Sequence, residues 1–313
     1  MSRLSRLGER GTARSPRAQR LLLGAALAVF VVSGVLAIRA LDGIPLADDW
    51  YLWLLVAAGL SLVTFGVNAA EFAVSALFLG VRPGVADSLR VSILASAANV
   101  MPIPGAALVR TQALKRLGLG YRQALSATAV IGLAWVATGA LVAGALLVPS
   151  AQALVGGLAL AAGVVGWGVA VILLLRQVGT AGTRRALPRV AAVEMASVAV
   201  GIARTWVVLR ALGFDAGLAE AAALLGAAIV ASAAGIFPGG IGIREVLSAA
   251  VGAVVGLPAA AGALMAAVDR IVGYAVLALC SAVVLATTGR PDTGDAGDAD
   301  PGVPGPGPGA KIP

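Results

Sequence analysis

Long apolar runs separated by short charged segments dominate this 313-residue chain. A run of about 20 apolar residues is long enough to cross the hydrocarbon core of a bilayer as an α-helix. The pattern therefore predicts an all-α polytopic membrane protein with about six spanning helices. The predicted spans are residues 21–38, 51–79, 123–148, 153–175, 190–212 and 259–287.

Two further apolar regions are each divided into halves that are too short to span a bilayer. Proline and glycine lie where the halves meet, and both residues end helices. Such broken backbone is tolerated at membrane depth only inside protein or beside a water-filled cavity, so we expect two re-entrant helical hairpins. The predicted half-helices are residues 87–101 and 105–117 in the first hairpin, and 221–236 and 239–256 in the second. The predicted hairpin tips are Pro102, Pro104, Gly105, Pro238, Gly239 and Gly240.

The two predicted hairpins share a sequence pattern. In each, a proline precedes an arginine by six residues, from Pro104 to Arg110 and from Pro238 to Arg244. An Ala-Ser-Ala-Ala run lies just before each break. A single break is more often a proline kink within one long helix, but two breaks with matched spacing indicate an internally repeated, transporter-like fold.

The distribution of charge predicts the orientation of the chain. Lysine and arginine concentrate before the first span, around residues 82–90 and 115–122, in residues 176–189 and after the last span. Acidic residues dominate the segments 42–49 and 214–220. The positive-inside rule then places both termini in the cytoplasm and opens the hairpins to opposite faces. We therefore expect inverted repeats in a multi-pass protein of the plasma membrane.

Three segments are predicted along the chain. Residues 1–20 carry six arginines and one glutamate, and we expect them to form a disordered cytoplasmic leader. Residues 21–288 are predicted to form the transmembrane domain. Residues 289–313 are rich in proline, glycine and aspartate and cannot bury a core, so we expect a disordered cytoplasmic tail.

The composition excludes several classes of chemistry. Hydrophobic residues make up 59% of the chain, histidine is absent and Cys280 is the only cysteine. The usual general base, a Ser-His or Cys-His nucleophile and an intrachain disulfide are therefore missing, and the acidic residues have no metal-ligand spacing. We predict no enzyme activity, no cofactor and no bound metal. The net charge of +8 fits anionic lipid headgroups better than nucleic acid, because no basic aromatic stripe is present.

Arg110 and Arg244 are the first candidates for a binding site. Each follows the start of a predicted half-helix, whose unpaired N–H groups and dipole favour a phosphate or a carboxylate. A nearby guanidinium adds charge and paired hydrogen-bond donors. Arg110 has an alternative interpretation, because together with Lys115 and Arg116 it can extend to the cytoplasmic interface.

Arg244-Glu245 and Asp269-Arg270 are adjacent pairs of opposite charge in apolar surroundings. They predict either a charge network that joins the second hairpin to the last span, or a ligand site. In the second interpretation a ligand phosphate competes for the arginines while the acids accept an amine. Arg204 lies deep in its predicted span and is a further candidate for substrate contact.

Two acidic residues within predicted spans are weaker candidates. Glu71 is a candidate residue for coupling transport to the movement of protons. Glu194 is expected at the cytoplasmic interface near Arg189, where it would have little function.

The segments around the two breaks also carry a family resemblance. The first reads Asn-Val-Met-Pro-Ile-Pro-Gly-Ala-Ala-Leu-Val-Arg at 99–110. The second reads Phe-Pro-Gly-Gly-Ile-Gly-Ile-Arg-Glu at 237–245 and is followed by Asp269-Arg270. Together they resemble the transmembrane region of the lysylphosphatidylglycerol synthase family, and the resemblance covers about residues 20–288.

This resemblance implies a flippase-like domain, which moves phospholipids or lipid-linked anionic molecules between leaflets. A soluble aminoacyl-transfer domain follows in the full-length synthases, whereas residues 289–313 follow here, so we do not expect synthase activity. The chain departs from the family pattern at Ile131-Gly132, where members commonly carry an acidic-basic pair. A mechanism that needs an acidic-basic pair in each of the two repeats is therefore less well supported.

Lipid translocation is the function that the sequence favours. A headgroup phosphate is expected at the hairpin tips, bound by helix N-termini, Arg110 and Arg244, with Arg204 and Arg270 as further contacts. A secondary transporter of a small anionic solute would use the same architecture, and a noncatalytic membrane subunit of a transferase is a third alternative. The predicted partners are membrane phospholipids or lipid-linked anions, with a homo-oligomer or a transferase as further candidates.

Single cysteines introduced at Asp48 and Asp215, in a Cys280→Ala background, test the predicted orientation. Both positions lie in loops predicted to be external, so an impermeant maleimide should label them in intact cells. Labelling at either position only after lysis would contradict the orientation derived from charge.

Overall fold

The computed structural model describes residues 31–32, 35–36, 38–39, 46–99, 105–234 and 242–288. Within these residues the chain forms helices and no strands, which confirms the predicted all-α class. The helices are α1 (Trp50–Phe78), α2 (Val85–Ala98), α3 (Gly105–Arg116), α4 (Tyr121–Leu147), α5 (Ala153–Ala211), α6 (Leu218–Ala234), α7 (Ile243–Val254) and α8 (Ala259–Thr288). The predicted leader, tail and most of the first span lie outside the described residues, as do the hairpin tips Pro102, Pro104, Pro238, Gly239 and Gly240.

Four of the described helices, α1, α4, α5 and α8, are long and apolar enough to cross a membrane. Large apolar side chains such as Leu55, Leu154 and Leu279 are exposed on them. An aqueous surface would disfavour so many exposed apolar groups, whereas lipid accommodates them. The protein is therefore a multi-pass helical membrane protein.

Helix α5 differs from the sequence prediction, which placed a loop at 176–189 between two spans. The structure continues the helix through these residues apart from one break at Gly179, whose φ of 67° and ψ of −178° are not helical. Glycine accepts this left-handed φ without the Cβ clash that other residues meet. The arginines around the break are good helix formers, so charge alone did not end the helix.

The core lies where α5, α6 and α8 meet. Val208 and Leu209 of α5, Leu224 of α6 and Met265 of α8 are fully buried in one cluster. The N-terminal half of α5 instead packs on α4 through very small residues. A Cβ atom on Gly163 would lie 2.8 Å from the backbone nitrogen of Leu141. Small residues at such interfaces let helix backbones approach closely, which drives helix association in lipid.

The half-length helices pack in two pairs against the long ones. In the first pair, Ser92 of α2 donates a hydrogen bond of 3.0 Å to the carbonyl oxygen of Phe65 on α1. A Cβ atom on Gly105 at the start of α3 would lie 2.0 Å from the carbonyl oxygen of Ala98, so only glycine fits there. Helix α7 of the second pair packs closely on α8. A Cβ atom on Gly262 of α8 would lie 2.0 Å from the carbonyl oxygen of Ser248 on α7.

Gly163→Ala should destabilise the folded protein by about 1–3 kcal/mol, because the added methyl group overpacks the α4–α5 interface. Thermal unfolding in detergent measures the effect. Gly168→Ala is the matched control on the same helix, because no atom lies within 4 Å of a Cβ atom placed there. Equal stability of the two variants would show that the α4–α5 contact is not tight.

Candidate functional site

A cavity of about 700 Å³ lies between the two pairs of half-length helices. The first pair contributes residues at the end of α2 and the start of α3, and the second pair contributes the end of α6 and the start of α7. Helices α1, α4, α5 and α8 complete the walls. The lining residues from the two pairs are Ser96, Asn99, Ala106, Ala107, Ser232, Ala233 and Arg244.

The carboxylate of Asp269 on α8 is the centre of the charged wall of this cavity. Its side chain is 1% exposed and forms ion pairs with two arginines from two other helices. Arg204 of α5 places its Nε atom 2.6 Å from one carboxylate oxygen. Arg244 of α7 places an Nη atom 2.5 Å from the other oxygen. Asp269 thus joins α5, α7 and α8 at one buried point.

A second ion pair lies beside the first. Arg270 of α8 places its Nε atom 3.1 Å from Glu245 of α7. The other carboxylate oxygen of Glu245 accepts a hydrogen bond of 2.7 Å from the backbone N–H of Gly242. This contact caps the first turn of α7, since a helix start leaves such N–H groups without a partner in the helix.

The two dipeptides of opposite charge therefore pair crosswise. Arg244 pairs with Asp269, and Glu245 pairs with Arg270. Each of the four residues thus pairs across to the other helix and not with its neighbour in sequence. The predicted ion pairs between these two dipeptides are therefore present, and they join α7 to α8. Glu245, the adjacent acid, is not the partner of Arg244, because successive residues on a helix point about 100° apart and the side chain of Asp269 faces Arg244 directly.

The network has an excess of positive charge. Among the described residues, three guanidinium groups, those of Arg204, Arg244 and Arg270, pair with only two carboxylates, those of Asp269 and Glu245. The three arginines and Asp269 line the cavity. Buried guanidinium groups in a membrane are costly, and a net positive cluster beside a cavity favours an anionic ligand with several acceptor oxygens.

Arg110 and Glu71 lie outside this arrangement. An Nη atom of Arg110 on α3 lies 3.0 Å from a carboxylate oxygen of Glu71 on α1. The Arg110 side chain is only 16% exposed, so it does not extend to the interface with Lys115 and Arg116 in this structure. Neither Arg110 nor Glu71 is among the residues that line the cavity. Pairing with a buried acid lowers the cost of the buried guanidinium.

One amide group at the start of each of α3 and α7 is already engaged. The side-chain oxygen of Asn99 accepts a hydrogen bond of 3.2 Å from the N–H of Ala106, and Glu245 binds the N–H of Gly242. The sequence predicted that these helix starts would offer unpaired N–H groups to a phosphate. Local side chains have instead capped one N–H at each start, as Asn and Glu commonly do.

Sequence reasoning missed two features of the site. Ser61, Thr64 and Asn68 of α1 line the cavity, and their spacing of three and four residues puts them on one helix face. That spacing was a signal in the sequence. Glu194 was expected at the interface, but its exposed fraction is 0%. The nearby arginines suggested solvent, whereas α5 continues through them as a helix and carries Glu194 into the interior.

The residues that form the charge network lie together in one stretch that is similar to a known family. Residues 176–281 match the family described as Lysylphosphatidylglycerol synthase TM region. The matched stretch contains Arg204, Arg244, Glu245, Asp269 and Arg270. It confirms the resemblance over that stretch and indicates a function related to membrane lipids, while the segment 99–110 lies outside it. Comparison with curated proteins gives no match.

Asp269→Asn should destabilise the protein by about 3–5 kcal/mol, because it leaves two buried guanidinium groups without their carboxylate. Chemical or thermal unfolding in detergent measures the change. Asp215→Asn is the matched control, since the side chain of Asp215 also pairs with an arginine but is 92% exposed. The control should have little effect, because surface ion pairs contribute little. Similar stabilities of the two variants would contradict a structural role for Asp269.

Proposed function

We propose that this protein moves phospholipids, or lipid-linked anionic molecules, between the leaflets of a membrane. The observation that carries the proposal is the excess of arginine in a charge network that borders a cavity between two pairs of half-length helices. The similarity of residues 176–281 to the Lysylphosphatidylglycerol synthase TM region supports a lipid rather than another anion.

In this proposal the headgroup phosphate binds Arg244 and Arg204, which already lie side by side on Asp269. Guanidinium groups match the planar pairs of oxygen atoms on a phosphate, and they remain charged at any physiological pH. Asp269 holds them in place when no ligand is bound and competes with the phosphate afterwards. The competition weakens binding enough for the lipid to leave on the other side.

The hydroxyl and amide groups of the cavity provide the path for the polar headgroup. Ser61, Thr64 and Asn68 on α1 and Thr128 on α4 line the same cavity. These groups can replace part of the headgroup's water by hydrogen bonds, while the acyl chains remain in lipid. A polar path of this kind lowers the barrier that a charged headgroup meets in hydrocarbon.

The proposed topology has six spans. Helix α5 supplies two of them, one before Gly179 and one after it. Helix α5 has 59 residues. At roughly 1.5 Å per residue, a straight helix of that length would be about three times as long as the bilayer core is thick. The pairs α2–α3 and α6–α7 are proposed as re-entrant hairpins of opposite orientation within inverted repeats. Both termini are proposed to lie in the cytoplasm and the protein in the plasma membrane.

No chemical step is part of this proposal, and the arginines act by binding alone. A secondary transporter of a small anionic solute is the second candidate, because a cavity of about 700 Å³ has room for such a solute. A homo-oligomer and an association with a separate transferase remain predictions.

Arg244→Ala should abolish the exchange of a fluorescent anionic phospholipid between leaflets in proteoliposomes, because the phosphate loses its charge-assisted contact. Arg244→Lys should retain part of the activity, since a lysine supplies charge but not paired donors. Quenching of outer-leaflet fluorescence by an impermeant reductant measures the exchange. Arg90→Ala is the control, because the Arg90 side chain is exposed and pairs with Asp87, which is also exposed.

Two results would contradict the proposal. Lipid exchange by Arg244→Ala at the wild-type rate would remove Arg244 from the path. Absence of lipid exchange by the wild-type protein, together with uptake of a small radiolabelled anion that Arg244→Ala abolishes, would favour the solute transporter.

A further inference from the structure

A second group of charged side chains lies outside the cavity lining. It consists of Glu71 on α1, Arg110 on α3 and Glu194 on α5. Arg110 forms its ion pair with Glu71 at 3.0 Å. The proposed lipid path uses none of these three residues.

Glu194 is the most enclosed member of this group. Its exposed fraction is 0%, and neither of its carboxylate oxygens has a hydrogen-bond partner on the described part of the chain. Among the described residues, Glu71 and Arg110 are charged groups near enough to Glu194 to influence it. The face of α5 that carries Glu194 is apolar one turn earlier, where Val190 is buried in a cluster with Ile131 of α4.

On α3 the other charged residues are Lys115 and Arg116 in its last turn, and the charged residues of α1, α4, α6 and α8 lie as follows. Glu71 is the only charged residue of α1, and the charged residue of α4 is Arg122, in its first turn. The charged residue of α6 is Glu220, which also lies in the first turn. On α8 the charged residues are Asp269 and Arg270, and both belong to the cavity network.

On the described part of the chain, Arg110 pairs with Glu71, and neither oxygen of Glu194 has a hydrogen-bond partner. If both acids were ionised, Glu194 would carry a buried charge with no hydrogen-bond donor, which is strongly unfavourable in apolar surroundings. A proton on Glu194 removes that charge and leaves Glu71 and Arg110 as a neutral pair. The net charge of Glu71, Arg110 and Glu194 is zero only when the three residues hold one exchangeable proton.

We propose that Glu194 is a proton-binding site and that Arg110 couples the exchange of its proton to the position of the first hairpin. When the carboxyl group releases its proton to water, the new carboxylate competes with Glu71 for Arg110. Arg110 is carried by α3, whose first turn lines the cavity through Ala106 and Ala107. A change of partner by Arg110 thus moves the cavity wall.

This inference rests on the proposed transport function, for which it names the coupling ion. Infrared spectroscopy of the purified protein tests the proton directly, without any transport. The C=O band of a protonated carboxylic acid, identified by its shift in D₂O, should be present at neutral pH and absent in Glu194→Gln. It should remain in Asp87→Asn, which changes an exposed acid. In the wild-type protein the band should decline as the pH is raised, which provides a readout if Glu194→Gln does not fold.

A band that persists undiminished in folded Glu194→Gln, or that is absent from the wild-type protein, would overturn the assignment of the proton to Glu194. Loss of the band in Glu71→Gln is also expected, because Arg110 is then free to pair with an ionised Glu194.

Lipid exchange across proteoliposomes with an imposed pH gradient tests the coupling. The wild-type rate should change with the direction of the gradient, whereas Glu194→Gln should lose this dependence and Asp87→Asn should keep it. A wild-type exchange rate that is independent of the pH gradient, or that depends on a sodium gradient instead, would overturn proton coupling. It would leave the proposed lipid transport intact. If the wild-type protein moves no lipid, the proposed function fails, and the infrared band still decides whether Glu194 holds a proton.

Discussion

The fold depends most on the buried carboxylate of Asp269, which holds two arginines from two other helices. In surroundings with little water, each of these three charges is unfavourable alone, and their mutual attraction is much stronger than it would be at a surface. The ion pairs fix α7 against α5 and α8. They also gather guanidinium groups at the wall of the cavity, so the interaction that holds the fold also prepares the site.

The same helix connects this network to the second charged group. Glu194 and Arg204 both lie on α5, ten residues apart, which corresponds to roughly 15 Å along the helix axis. At one end of this stretch Glu194 lies under the electrostatic influence of Arg110 on α3, and at the other end Arg204 pairs with Asp269 on α8. A rigid helix between the two groups gives a physical route by which the proposed proton site and the proposed anion site can influence each other.

The sequence predicted most of the helices because proline, glycine and hydrophobic run length are local signals. The half-helices predicted at 87–101 and 105–117 are found at Val85–Ala98 and Gly105–Arg116. The pairing of charges could not be read in this way, because Arg244 bonds to a residue on another helix and not to its neighbour. The helix through 176–189 was missed because a run of arginines does not distinguish a solvated loop from a solvated helix.

The burial of Glu194 was missed for the related reason that depth was judged from nearby charge. Val190, about one turn before it, is buried against α4, and the side chain of Glu194 points the same way. Exposed Arg189 immediately precedes Val190 and points to another side of the helix. Helical periodicity therefore predicts depth better than distance along the chain does.

The central claim is that a lipid phosphate binds the arginines that Asp269 holds. Solid-state NMR of the protein in liposomes of an anionic phospholipid, with ¹³Cζ-labelled arginine, measures contact between guanidinium carbon and lipid ³¹P. The difference between the wild-type protein and Arg244→Lys isolates the signal of Arg244. We predict that ³¹P dephases this signal strongly, as direct contact requires. A signal from Arg244 that ³¹P leaves unchanged, in protein that exchanges lipid, would contradict the account.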